Sequence, residues 1–288
     1  MTERILAGKT AVVTGSNSGI GAATTAASTH SSRVGRAAYG EAMPESGTDR
    51  PALDAILLKV LDAVPFQLTM DGGPEAARAR FRALPRRKVH PELRVQNRAI
   101  DGVPVRIYWP PSGHDKAPVV VFFHGGGWVV GDLDSYDGTA REHAVGTGAV
   151  VVSVDYRLAP EHPYPAAVDD VWAVTRWVAE HAGELGADPE RIAVAGDSAG
   201  GNLAAVVAQL ARDAGLTLRM QLLWYPATTW DTSLPSFTEN ADAPILGRDG
   251  VGGFSLLYAA GTSVRTAPST LVPARGDLTG VAPAYIAV

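Results

Sequence analysis

The 288-residue chain contains no cysteine. Disulfides and thiolate metal centres are therefore excluded, and nothing asks for an oxidising compartment. No stretch approaches the ~18 apolar residues needed to span a bilayer. Met1 to Lys9 mixes polar and apolar residues, with no apolar segment ahead of a cleavage site. The expectation is a soluble, cytoplasmic chain. Basic excess is missing too: the net charge is −5 and the pI near 5.8, which removes the electrostatic case for a nucleic-acid partner. The one basic cluster, Arg78, Arg80, Arg82, Arg86, Arg87 and Lys88, reads as the solvated face of a helix. A final shortage is positional. All seven histidines (His30, His90, His114, His124, His143, His162 and His181) precede residue 198, and none follows it.

What is present is enough for a core. Apolar residues make up 46% and charged residues 19%, which excludes global disorder. Residues 1–26 hold a short strand, Thr10 to Val13, and a glycine-rich turn. Residues 27–50 show no sustained period and read as a linker. Residues 51–89 read as helical. Leu53, Ile56, Leu57, Val60, Leu61 and Val64 fall on one face, and Pro65 ends that helix. Pro74 and Glu75 open a second helix, running through Phe81 and Leu84. From residue 90 the pattern changes. Strand-length apolar runs occur at 103–109, 119–123, 149–154, 191–195, 220–224 and 284–288. Helix-period stretches at 166–181 and 199–215 lie between them. Such alternation predicts an α/β architecture with a mostly parallel sheet covered on both faces.

Two turns in this second part carry chemistry. The run Ile192-Ala193-Val194-Ala195 feeds into Gly196-Asp197-Ser198-Ala199-Gly200-Gly201, and helix-forming residues follow. Strand, sharp turn and helix place Ser198 at an apex, where its hydroxyl is exposed at the C-terminal edge of the sheet. Side chains two residues either side of it would clash, hence Gly196 and Gly200. The N–H of Ala199 and the positive end of the helix face the same space. A lone G-x-S-x-G is also an ordinary glycine-rich turn, so its flanking elements carry the reading. The second turn follows Val119 to Phe123, as His124-Gly125-Gly126-Gly127-Trp128. Consecutive glycines let backbone N–H groups turn toward a ligand. Gly125 and Gly126, with Ala199, are the expected donors to an ester oxyanion, each such donor being worth ~3–4 kcal/mol of the barrier. His124 reads as a brace for the loop rather than as a base.

These two turns resemble the paired motifs of the hormone-sensitive-lipase-like family of α/β-hydrolases. So does a third segment, Asp155-Tyr156-Arg157-Leu158-Ala159-Pro160-Glu161-His162-Pro163-Tyr164-Pro165-Ala166-Ala167. The resemblance implies an α/β-hydrolase fold with an eight-stranded sheet. It implies a helical cap at 51–89 and a hydrolase domain at 90–288. It implies hydrolysis of short- to medium-chain carboxylic esters through an acyl-enzyme, with no metal or organic cofactor. The partner is a small ester; a homo-oligomer stays open. The pattern departs from the family after Val281 to Val288, which resembles the strand ahead of the triad aspartate. Asp213, Asp231, Asp242, Asp249 and Asp277 match no family position, and no histidine is left for the base. The resemblance therefore implies a missing last strand and helix, an exposed sheet edge at 284–288 and a poorly active esterase. A non-catalytic ligand-binding protein on the same scaffold is the alternative.

Thr14-Gly15-Ser16-Asn17-Ser18-Gly19-Ile20-Gly21 resembles the opening of short-chain dehydrogenases/reductases. That family would imply an NAD(P)-dependent oxidoreductase. The resemblance covers only about residues 5–25. No second strand ends in an acid ~20 residues on, Glu41 lies in linker sequence, and the Tyr-x-x-x-Lys pair is absent. One strand and one turn cannot build a dinucleotide site, so residues 1–26 read as a fusion remnant.

Overall fold

A computed structural model describes residues 12–14, 55–63, 66–86, 88–111, 113, 116–263 and 266–288. Its centre is a mixed, mostly parallel sheet. The strands are β1 (Val12–Thr14), β2 (Val95–Ile100), β3 (Val103–Tyr108), β4 (Ala117–Phe123), β5 (Val150–Val154), β6 (Ala187–Asp197), β7 (Met220–Trp224) and β8 (Ala284–Ala287). Their spatial order is β1-β8-β7-β6-β4-β5-β3-β2. Among these described strands the β2/β3 and β3/β5 pairs are antiparallel and the others parallel. All six strands expected from 103 onward are present. The strand that apolar runs did not announce is β2, Val-Gln-Asn-Arg-Ala-Ile. It is an edge strand with one fully buried residue, Ile100, so burial did not demand an apolar run. Asp101 and Gly102, both at positive φ (49° and 82°), turn it into β3.

The central strands β4 and β5 and the 192–195 part of β6 are apolar, but for Ser153, because helices cover both faces. Val119, Val121, Phe123, Val150, Val152, Val154, Ile192 and Val194 face one way, into a core with α4 (Ala166–His181) and α5 (Ala199–Asp213). Val120, Phe122, Val151, Ala193 and Ala195 face the other way, against Ala140 and Ala144 of α3 (Asp137–Thr147). Twelve of the residues of α5 are buried, which explains its Ala- and Val-rich sequence. It packs on β6 and β7 and carries Leu203 into the core at 0% exposure.

Two expectations are corrected, the free edge at 284–288 and the solvation of the whole basic run. The free edge at 284–288 is absent, because β1 pairs in parallel with β8, with Val12, Val13 and Thr14 opposite Tyr285, Ile286 and Ala287. The remainder of the dehydrogenase-like motif, beyond Thr14, lies outside the described residues. The apolar face of α1 (Ala55–Ala63) has no buried residue, and Ile56 is 72% exposed. α2 (Gly73–Arg82) belongs to the unit that holds the sheet, and α1 does not. The basic cluster is solvated at Arg82, Arg86 and Lys88, half-buried at Arg80, which donates to the Thr69 and Asp71 carbonyls, and turned inward at Arg78; Arg87 lies outside the described residues.

The burial of α5 is testable. Leu203→Ala should lower unfolding free energy by about 2–5 kcal/mol, through lost transfer energy and the cavity left behind. Urea unfolding measures it; a loss below ~1 kcal/mol would contradict the packing.

Candidate active site

Ser198 joins β6 to α5 with φ 52° and ψ −113°, a conformation a residue with a side chain adopts only when its surroundings enforce it. The surroundings do so. The Ser198 N–H donates to Trp224 O at the end of β7 (2.9 Å). Its carbonyl accepts from Asn202 N (3.0 Å) and Ala227 N (3.2 Å). Asn202, buried in α5, donates through Nδ2 to Ala227 O (2.7 Å) and Leu271 O (3.2 Å). A side chain at Gly196 would strike the Gly200 carbonyl, and one at Gly200 the Phe123 and His124 carbonyls. The turn thus lies directly on the end of β4, where the glycine loop begins.

In that loop Gly126 has φ 115° and Gly127 φ 59°. The Gly126 carbonyl accepts from Val129 N (3.1 Å) and Val130 N (3.0 Å), which closes a tight turn. A Cβ on Gly127 would meet the ring of Phe254, on α7 (Arg248–Ala259). Among the described residues the N–H groups of Gly126, Gly127 and Ala199 have no acceptor. The N–H of Gly125 does: it donates to Asp197 Oδ1 at 2.9 Å. Of the three expected donors, Gly126 and Ala199 are therefore open, and Gly125 is already engaged.

Asp197 fills the variable position of the G-x-S-x-G turn. Its other oxygen, Oδ2, accepts from Tyr136 Oη (2.9 Å). Burial pushes its carboxyl up to about 6, and these two hydrogen bonds pull the other way. The available signal was a carboxylate at the end of an apolar strand, since a charge there needs partners. Tyr136 in turn lies against Phe81 (6.3 Å between centroids) and His124 (5.4 Å). His124 lies beneath the loop. Its Nδ1 is 2.8 Å from Gly125 O, its ring stacks on Tyr156 (4.3 Å, 16°), and Tyr156 Oη donates to the His124 carbonyl (2.7 Å). Burial drives the imidazole down to about 4, so the brace is neutral at pH 7.

The other described histidines are engaged elsewhere or stand without a bond to the serine. His143 stacks on Trp224 (5.0 Å), His181 on Trp177 (4.6 Å), and His90 meets Glu142 (3.2 Å). Among the described residues no hydrogen bond reaches the Ser198 hydroxyl, and no cluster of His and carboxylate could hold a metal ion. The 155–167 segment lies beside the glycine loop: Ala159 N donates to Trp128 O (2.8 Å). Arg157 forks onto Asp170 of α4 (2.8 and 3.0 Å), which anchors the segment to the helix it starts. Trp128 stacks on Tyr258 (4.4 Å, 3°) and approaches Trp230 (5.7 Å), closing the loop from behind. The site is a nucleophile turn and a set of open N–H donors on rigid elements, a constellation suited to stabilising an oxyanion.

Comparison with known proteins bears on the fold and the family. A family model described as alpha/beta hydrolase fold matches residues 120–288. Esterase LipI of Mycobacterium tuberculosis is 59% identical over 254 residues, covering 85% of this chain and 79% of that protein. Among solved structures, that of DphMB1 is 80% identical with a TM-score of 0.81, covering 83% of this chain and 80% of the other. A hyperthermophilic esterase from Pyrobaculum calidifontis is 37% identical with a TM-score of 0.72, covering 81% and 78%.

Two outcomes follow from the contacts around the turn. Gly200→Ala drives a methyl into the end of β4 and should cost about 3 kcal/mol or more, read by urea unfolding; a loss under ~1 kcal/mol would show that the turn is not tightly seated. Asp197→Asn tests the buried carboxyl. An ordinary aspartate titrates near ~4, so the folded state binds this proton more tightly than the unfolded chain does. Between about pH 4 and 6 the Asp197 contribution to stability therefore falls as pH rises. The melting temperature of the Asn variant, relative to wild type, should rise between about pH 4.5 and 7.5. A constant gap across that range contradicts the assignment.

Proposed function

This chain belongs to the hormone-sensitive-lipase-like family of α/β-hydrolases, and from that membership we propose that Ser198 forms an acyl-enzyme with short- to medium-chain carboxylic esters. The family makes it a carboxylic ester hydrolase. The observation that carries the site assignment is the juxtaposition of Ser198, at its strained apex, with three N–H groups that have no acceptor among the described residues.

In the proposed reaction Ser198 Oγ attacks the ester carbonyl carbon and the carbonyl π pair moves onto oxygen. The N–H groups of Gly126, Gly127 and Ala199 receive that oxyanion. Gly125, whose N–H is held by Asp197, supports the hole instead of donating to it. Collapse expels the alcohol and leaves the acyl group on Ser198; water then releases the acid. The hydroxyl proton must go to a base and return to the leaving alcohol. None of His90, His124, His143, His162 and His181 bonds to Ser198, and His124 and His143 are held neutral by burial. We therefore propose that these 288 residues turn esters over slowly. Loss of the triad base costs ~10⁶ in kcat in a serine protease, and oxyanion stabilisation with binding leaves about 10³–10⁴ over water. That no described histidine bonds to Ser198 favours, as second reading, a protein that binds esters without cleaving them.

Hydrolysis of p-nitrophenyl butyrate, with intact-protein mass after incubation, separates these readings. Slow hydrolysis and an acyl adduct, both lost in Ser198→Ala, are expected. A kcat on the order of 10 s⁻¹ that Ser198→Ala abolishes would contradict slow turnover. Hydrolysis indifferent to Ser198→Ala would remove the nucleophile assignment, and ester binding without adduct would favour the second reading.

A further inference from the structure

Arg78 lies on α2, one turn from Pro74, in what reads as a solvated basic run. Its side chain is nevertheless only 11% exposed, and all five of its N–H donors are used. Nε donates to Val129 O (2.9 Å). Nη2 donates to Ala159 O (2.9 Å) and Glu161 Oε2 (2.5 Å). Nη1 donates to Glu75 Oε1 (2.6 Å) and Glu161 Oε1 (2.9 Å). The Glu161 carboxylate is held down to about 2, chiefly by its hydrogen bond from this guanidinium.

The acceptors are the informative part. Val129 closes the turn of the glycine loop through its N–H on Gly126 O, and Ala159 holds the same loop through its N–H on Trp128 O. One planar fork thus spans the two backbone segments that fix where the Gly126 and Gly127 N–H groups point. Surface ion pairs are worth little, but a part-buried guanidinium on two main-chain carbonyls sets geometry, and lysine cannot reproduce that fork. Sub-ångström errors in donor placement are costly in an oxyanion hole.

We propose that Arg78 is a positioning residue for the oxyanion hole, which ties α2 to the glycine loop through Val129 and Ala159. The role rests on the acyl-transfer reading; the tie itself does not. Movement of α2 is thereby transmitted to the N–H donors.

Hydrogen exchange followed by mass spectrometry on the full chain tests the tie. In Arg78→Met, exchange within 124–131 and 157–161 should quicken by about tenfold or more, with 187–213 at the wild-type rate. Loop exchange unchanged in a folded variant overturns the proposal. Should Arg78→Met fail to fold, Arg78→Lys decides by the same criterion. Ester hydrolysis tests the role. Ser198-dependent kcat should fall about 10- to 100-fold in Arg78→Met with KM within about twofold, and Arg78→Lys should restore only a small part. A rise in KM at unchanged kcat would place Arg78 in substrate binding instead and overturn it. Absence of Ser198-dependent turnover in wild type would defeat the acyl-transfer reading and with it the positioning role, while the exchange experiment still decides the tie.

Discussion

The site depends on how closely the Ser198 turn approaches the end of β4. Gly196 and Gly200 leave no space for a Cβ against the carbonyls of Gly200, Phe123 and His124. That contact brings the carboxylate of Asp197 within reach of the Gly125 N–H, across the two strand ends. Nucleophile and glycine loop are thus parts of one object. Phe123 and Gly196 are register partners in the sheet, so the sheet itself sets the spacing between them. The strain at Ser198 is sustained by hydrogen bonds from β7, α5 and the 227 backbone.

The polar groups around this contact follow one logic. Burial disfavours charge on His124, so it serves as a neutral, stacked brace. Asp197 keeps its carboxylate at neutral pH, above its raised value, because Tyr136 and Gly125 supply donors. The loop is held from below by His124 and Tyr156, from the nucleophile side by Asp197, and from the α2 side by Arg78. With these supports in place, the N–H groups of Gly126, Gly127 and Ala199 have no acceptor among the described residues. A preorganised donor set of this kind loses little reorganisation energy when charge develops.

Much of this was legible in the sequence, for stated physical reasons. Strands buried on both faces must be apolar, so β4, β5 and the 192–195 part of β6 stood out; β2, half solvated at the edge, did not. The helix at 166–181 matched its apolar period residue for residue. Gly196 and Gly200 were readable because steric exclusion leaves only glycine. The split of labour within the glycine triplet was not readable. Gly125, Gly126 and Gly127 are identical letters, and only the position of Asp197 reveals which N–H is occupied. Arg78 was misread because an inward arginine in a basic run is the same letter as its exposed neighbours Arg82 and Arg86. The edge at 284–288 was misread because a three-residue strand from a distant part of the chain pairs with it, and local patterns carry no such information.

The measurement that bears most directly on this account is a crystal structure of the chain after prolonged reaction with an alkyl fluorophosphonate. The account predicts a phosphonyl adduct on Ser198 Oγ, its free oxygen within hydrogen-bond distance of the Gly126 and Ala199 N–H groups, and the Gly125 N–H still on Asp197. An unmodified Ser198, or an adduct whose oxygen lies away from those donors, would contradict it.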